Sequence, residues 1–414
     1  MSLLALLLCL AEARNIVEFG PALNAAPASV HPAVKTAVSI PLSKVFIKKD
    51  AVAGQVQASF LAYTLVGTIT LGSPAQEFTV LFDTGSSLFW IRSSLCTACP
   101  SSTAKYVSAR SSTFAALSTS GNTTKTITYG DGTVVQCIVG SENLSVAGDT
   151  LANQSFCQAT SIQTTTAETD GIIGIGRPLP AVAASVSASS AQFGTTYTSQ
   201  VSFWYNSHVA GSAPGTAGEI TFGTPNVAKY SGAIQYSPLT SDLAHWVIQC
   251  DSISYPDAAV MTKSTPVIID TGSTISTLPE SVFNIVNARM GGQAAGSSNV
   301  YIVSCTSAKT FPTLTFNLGK QTLSLPWDGQ IIYDAPSRSC ISVFQPAAPN
   351  SNIQFVLGAT FLANFYTVFD YPNSRIGFAA ATGKTGFSIP SDAFKSTLNT
   401  ISVLIFILGL AVII

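Results

Sequence analysis

Charge is what this chain has least of. Charged residues occupy only 9% of its 414 positions and the formal net charge is −1. With no basic stripe to neutralise phosphates, nucleic acid is excluded as a partner on electrostatic grounds. Histidine is almost as scarce, three in all and scattered, and Cys96-Thr-Ala-Cys99 is the one Cys-x-x-Cys. In a cytosolic protein that tetrapeptide would suit a redox or metal half-site. Without a second copy or nearby histidines, zinc has little support and no cofactor is expected. Long helical periodicity is also rare. What is abundant is apolar residue, 47% of a chain long enough for two lobes, which describes a globular protein with a sizeable core.

From residue 58 to 381 the texture is one of short alternating or β-branched runs, such as Tyr63–Leu71 and Phe78–Phe82, bounded by turn formers like Gly72-Ser-Pro74. The expected fold class is mostly β. One exception is Glu280–Met290, where Val282, Phe283, Ile285 and Val286 predict a short amphipathic helix starting near Pro279.

The ends read differently. Residues 1–13 hold a short apolar run followed by Ala11-Glu12-Ala13, a small-x-small pattern expected of a secretory signal, although no basic residue precedes the run. The alternative is a buried N-terminal helix. Residues 382–397 form a polar spacer with small residues, and 398–414 are almost wholly apolar. That tail is marginal for spanning a bilayer, which takes about 20 residues. It suits a lipid-anchor signal that is removed, with a membrane segment as the alternative. Sequons at Asn122, Asn143 and Asn153 agree with export. Cys9 lies in the signal segment, so seven cysteines remain, and an oxidising compartment would pair six of them.

The chemistry lies in a repeat. Val80-Leu-Phe-Asp-Thr-Gly-Ser-Ser87 recurs as Ile268-Ile-Asp-Thr-Gly-Ser-Thr274, with the aspartates 270 − 83 = 187 residues apart, a spacing that suits duplication of a whole lobe. In each copy an apolar strand delivers a carboxylate to a turn. Gly85 and Gly272 let the backbone turn tightly, and the hydroxyls of Thr84, Ser86, Thr271 and Ser273 can hold a carboxylate in place. One Asp-Thr-Gly is an ordinary turn; two behind buried strands are not. Carboxylates a few ångströms apart cannot both ionise easily, so such a pair shares a proton, and one member can act as base to a water while the other acts as acid. Neither a metal nor a covalent nucleophile is needed.

Phe82–Ser87, Tyr129-Gly-Asp-Gly132, Asp170–Gly174, Ile269–Ser273 and Val356–Phe361 occur in the order seen in pepsin-like aspartic endopeptidases, and the chain resembles that family over roughly residues 63–380. It resembles in particular a fungal-type secreted or surface-anchored member. The resemblance implies a bilobal fold of two pseudo-twofold-related β lobes, residues 58–235 and 236–381, with the cleft between them. It implies a catalytic pair Asp83 and Asp270, cross-bracing threonines Thr84 and Thr271, and outer partners Ser86 and Ser273. A flap hairpin, Tyr129, Gly130, Asp131 and Gly132, is implied with Trp90 as its brace. Cys96–Cys99 and Cys305–Cys340 resemble the family's disulfides, and Cys137–Cys157 is read as a third on neighbouring strands, leaving Cys250 as a buried free thiol. Residues 14–57 stand where the family carries a prosegment, which Ile40-Pro-Leu-Ser-Lys44 resembles loosely; Lys48 or Lys49 would face the dyad, or else the lysines are merely solvated. Ala359 stands where strongly acid-acting members carry aspartate, which points to a milder pH optimum.

The resemblance therefore implies hydrolysis of polypeptides at acidic pH, inhibition by pepstatin-type compounds, and action as a monomer at the cell surface or outside it. The alternative is a catalytically inactive pepsin-like binding or surface protein. Such proteins lose an aspartate or alter the flap, and neither loss is visible.

Overall fold

Short apolar runs broken by turn formers fold as strands. The computed structural model describes residues 37–48, 61–97, 99, 104–117, 124–130, 132–163, 169–177, 200–206, 217–241, 245–295, 300–334, 338–349, 351 and 353–382. The signal segment 1–13, Asn122, Asp131, the spacer beyond Thr382 and the tail 398–414 lie outside the described residues. So does all of the segment 14–57 except residues 37–48. Among the described residues no helix is long and apolar enough to cross a membrane.

One 14-stranded sheet runs through both halves of the chain. It begins at Tyr230–Pro238 and passes through Arg375–Ala381, Phe365–Asp370, Gln200–Tyr205 and Gly218–Gly223. It then enters Ala37–Lys48, Leu61–Leu71 and Gln76–Asp83. The strand Ala37–Lys48, ahead of the first lobe in sequence, pairs along its first half with Gly218–Gly223 and along its second with Leu61–Leu71. Its Ile40 and Leu42 are buried and meet Phe82 around Gly67. The C-terminal half adds an eight-stranded sheet that includes Thr265–Ile269, and a four-stranded one.

The sequence repeat is a structural repeat. In the first lobe Gln76–Asp83 runs parallel to Gly171–Gly174, which pairs antiparallel with Phe89–Arg92. In the second, Thr265–Ile269 runs parallel to Val356–Leu357, which pairs antiparallel with Ser276–Leu278. Each Asp-Thr-Gly therefore leaves a central strand covered by neighbours on both edges. Along Gln76–Asp83 burial alternates at first, and from Val80 onward every side chain is buried, so the strand carries its terminal carboxylate into the interior.

The predicted helix spans Glu280–Met290, with Pro279 at its N-cap and Gly291 closing it at φ 64° in the left-handed region that glycine favours. Val282, Phe283, Val286 and Met290 share its buried face. Ile285, which the sequence pattern placed among the apolar face, is 46% exposed because it falls on the flank of that stripe.

Candidate active site

The two Asp-Thr-Gly turns meet. Thr84 donates its backbone N–H to Thr271 Oγ1 at 3.0 Å, and Thr271 donates its own to Thr84 Oγ1 at 2.9 Å. Each hydroxyl then donates across the lobe boundary, Thr84 to the Ile269 carbonyl at 3.1 Å and Thr271 to the Phe82 carbonyl at 2.8 Å. Both threonines are buried, so all four bonds are shielded from water.

Each carboxylate is held identically. Asp83 Oδ1 accepts from Gly85 N at 2.8 Å and Oδ2 from Ser86 Oγ at 2.5 Å. Asp270 Oδ1 accepts from Gly272 N at 2.8 Å and Oδ2 from Ser273 Oγ at 2.7 Å. The glycines are required by the opposite lobe. A Cβ on Gly85 would lie 2.6 Å from the Asp270 carboxylate, and one on Gly272 would lie 2.2 Å from Asp83 Oδ1. Both carboxylates converge on Gly272, whose Cβ would lie 2.2 Å from Asp83 Oδ1 and 3.2 Å from Asp270 Oδ1. Burial first, then the charge of Asp270, pushes the Asp83 carboxyl up to about 8, against hydrogen bonds from Ser86 and Gly85 that act the other way. A pair so placed keeps one proton over a wide acid range and can offer an acid and a base to the same water.

Above the first lobe, Thr124–Thr128 and Val134–Val146 form a hairpin. Its turn is closed by Tyr129 N donating to the Thr133 carbonyl at 2.9 Å and Gly132 N to the Tyr129 carbonyl at 3.0 Å, with Gly132 at φ 85°. Gly130 and Gly132 are exposed at the tip, and Tyr129 is half-buried. Trp90 Nε1 donates to Tyr129 Oη at 2.8 Å, which ties the hairpin to the strand Phe89–Arg92.

The cysteines pair as Cys96–Cys99, Cys137–Cys157 and Cys305–Cys340. Cys250 is free and buried, and burial followed by the charge of Asp251 pushes its thiol up to about 12, which leaves it unreactive. Asn143 and Asn153 sit together where the hairpin Val134–Val146 and Asp149–Gln163 is bulged. Asn143 Oδ1 accepts from the Asn153 amide at 3.4 Å, and the Asn153 side chain is exposed with φ 57°.

Two supporting groups escaped the sequence reading. Tyr371 Oη donates to the Ile175 carbonyl, and Trp246 Nε1 lies 3.5 Å from the same oxygen. Ile175 N in turn donates to the Asp83 carbonyl at 2.7 Å, so the second half of the chain clamps the segment that backs Asp83. The other is Glu142, fully buried beneath the loop at Gly72. It accepts from Tyr106 Oη at 2.7 Å, from the Asn143 amide at 2.7 Å and from Thr113 Oγ1. Burial alone would raise its carboxyl, but hydrogen bonds from Ser111, Thr113, Tyr106 and Asn143 prevail and hold it below the ordinary glutamate range. A Tyr and a Glu 36 residues apart carry no local signal of this contact.

Two β lobes whose duplicated Asp-Thr-Gly turns face each other define a pepsin-like aspartic endopeptidase. A family model described as eukaryotic aspartyl protease matches residues 64–381. Cathepsin E of Rattus norvegicus is 30% identical over 335 residues, covering 78% of this chain and 81% of its own. Gastricsin of Macaca fuscata fuscata is 31% identical over 326 residues, covering 76% and 83%. The crystal structure of aspartic proteinase from Irpex lacteus superposes with a TM-score of 0.68 at 24% identity, covering 84% of this chain and 99% of that one, a likeness of fold. The chain belongs to the eukaryotic aspartyl protease family and is an aspartic endopeptidase that acts on polypeptides.

Proposed function

We propose that Asp83 and Asp270 are the catalytic dyad of an acid-acting endopeptidase. The observation that carries this reading is the reciprocal Thr84–Thr271 brace, which presents two carboxyls to one point between the lobes. In the proposed reaction the ionised carboxylate takes a proton from a water held between the pair, and the resulting hydroxide attacks the scissile carbonyl. The protonated carboxyl gives its proton to the carbonyl oxygen. Collapse of that adduct breaks the C–N bond as the carboxyl that took the water proton gives it to the leaving nitrogen, while the other carboxylate takes a hydroxyl proton from the adduct, which restores the pair. Tyr129, at the tip of the hairpin, closes over the bound peptide and excludes water. Substrate lies extended in the cleft, its alternate side chains in pockets on either side.

The enzyme follows the secretory pathway, a reading supported by three disulfides among the described residues and by the sequons. Asn153, exposed at a strand bulge, is the better glycan acceptor of the two described sequons. Residues 1–13 act as signal and 14–57 as prosegment, and the tail 398–414 serves as a lipid-anchor signal. One chain carries both aspartates, so the monomer is sufficient. With Ala359 in place of an acidic neighbour, the optimum falls at milder acid than about pH 2.

Digestion of a denatured protein in mild acid tests the assignment. Wild-type activity blocked by a pepstatin-type inhibitor, and lost in both Asp83→Asn and Asp270→Asn, is the expected result. Equal inactivity of wild type and Asp83→Asn under every condition would favour the binding-protein reading. Release of activity from membranes by a phosphoinositide-specific phospholipase tests the anchor.

A further inference from the structure

We infer that the Cys137–Cys157 bridge is a positioning device for the flap, which fixes the point at which the hairpin bends; this rests on the reading of Tyr129 as the flap residue. Cys137 lies on the second hairpin strand, opposite Lys125 and eight residues beyond Tyr129 (137 − 129). Cys157 lies on Asp149–Gln163 at the position that pairs with Trp90, the residue whose indole holds Tyr129. The bridge therefore joins the strand that carries the flap to the strand that seats its brace. Both cysteines are fully buried, in one cluster with Trp90, Ile127, Val135 and Val139, and Tyr129 packs against that cluster.

Its position along the hairpin matters most. Between Val134–Val146 and Asp149–Gln163 the register shifts between Gln136 and Cys137: Gln136 faces Ser161 and Cys137 faces Ala159, so Thr160 is the extra residue of a bulge. A bulge interrupts the ladder between the two strands, so pairing on the flap side of Thr160 can loosen without disturbing pairing on the body side. Here the covalent link sits on the body side of that bulge, at the next residue. Everything from Cys137 inward is tied down, and residues up to Gln136 are left to move as a short lever ending in Tyr129. A bend so confined swings Tyr129 over the cleft without shifting Trp90. Were the bridge absent, bending would spread into residues 137–146 and Tyr129 would close in several registers, weakening peptide binding while the dyad stayed intact.

The test begins with hydrogen–deuterium exchange on the wild-type enzyme. Exchange is expected to fall sharply between Gln136 and Cys137, and uninterrupted protection across that step would overturn the proposal. The paired substitution Cys137→Ala with Cys157→Ala is then compared with Cys305→Ala with Cys340→Ala, each assayed well below its own Tm. The first pair should raise KM and the dissociation constant of a pepstatin-type inhibitor together by about tenfold, leave the pH profile of kcat unchanged, and extend fast exchange past Cys137. The second should leave KM within about twofold of wild type. Unchanged KM and inhibitor binding in the first pair, or an equal rise in the second, would refute the positioning role. Tyr129→Ala separates this from the underlying assignment. If it raises KM while the bridge variant does not, only the bridge proposal fails; if neither changes KM, the flap reading itself is wrong.

Discussion

Replacing Thr84 by valine removes one hydroxyl and keeps the side chain's shape, so it probes the brace between the lobes without opening a cavity. Two bonds go: the one donated by the Thr271 amide at 2.9 Å and the one donated to the Ile269 carbonyl at 3.1 Å. Both partners stay buried, and water cannot replace what they lose. An unsatisfied buried donor or acceptor costs about 1–3 kcal/mol, so Thr84→Val should lose roughly 2–6 kcal/mol of folding stability. That is a large share of the roughly 5–15 kcal/mol by which proteins are typically stable. The same loss slackens the contact that presents Asp83 to Asp270. Misplacing reacting groups by about 1 Å costs on the order of 10²-fold in rate. Denaturant titration at constant slope measures the first effect, and kcat normalised to active sites counted with a pepstatin-type inhibitor measures the second. Thr84→Ser, which keeps the hydroxyl, should recover most of both. The Thr84→Val, Thr271→Val pair removes all four bonds, and because the two residues are in contact its cost should depart from the sum of the singles. Should Thr84→Val unfold within about 0.5 kcal/mol of wild type and turn over at the wild-type rate, the brace would not be what aligns the dyad.

Other expectations follow from the same contacts. Because the folded state holds the Asp83 proton up to about pH 8 and the unfolded chain only to about 4, that group's contribution to stability is complete below about pH 4 and is lost as pH rises through about 8. Thermal midpoints should therefore decline across that window, and Asp83→Asn should flatten the decline; an unchanged slope would count against a proton held at Asp83. Glu142 works in the opposite sense, since its carboxyl is held below the ordinary range: its contribution is present above the unfolded value near pH 4 and is lost as pH falls through the folded one. Glu142→Gln should be less stable than wild type at neutral pH and should lose less on acidification, as read by denaturation at the two pH values. Gly272→Ala drives a methyl to within 2.2 Å of Asp83 Oδ1 and should abolish turnover even in fractions that remain folded, with circular dichroism as the control.

Much of this molecule is written locally. Alternating apolar residues between turn formers make strands, three turns of apolar stripe ending at Gly291 make the helix Glu280–Met290, and the two Asp-Thr-Gly turns announce a duplicated lobe. These features depend on side-chain period and turn chemistry within a dozen residues, and such information is present in any short window of the chain. What the turns do to each other is not. That a Cβ on Gly85 would strike the Asp270 carboxylate, that Tyr371 reaches back 196 residues to the Ile175 carbonyl, and that hydrogen bonds from Ser111, Thr113, Tyr106 and Asn143 keep the buried Glu142 ionised all depend on the path the chain takes between them. The same holds for the bulge beside Cys137, which arises from the register of two long strands rather than from either strand's composition. The residues able to do the chemistry were thus set by sequence alone. Their approach across the lobe boundary and the hydrogen bonds between their turns were decided by packing two lobes together, since hydrogen-bond distance between groups far apart in sequence is a property of the folded chain only.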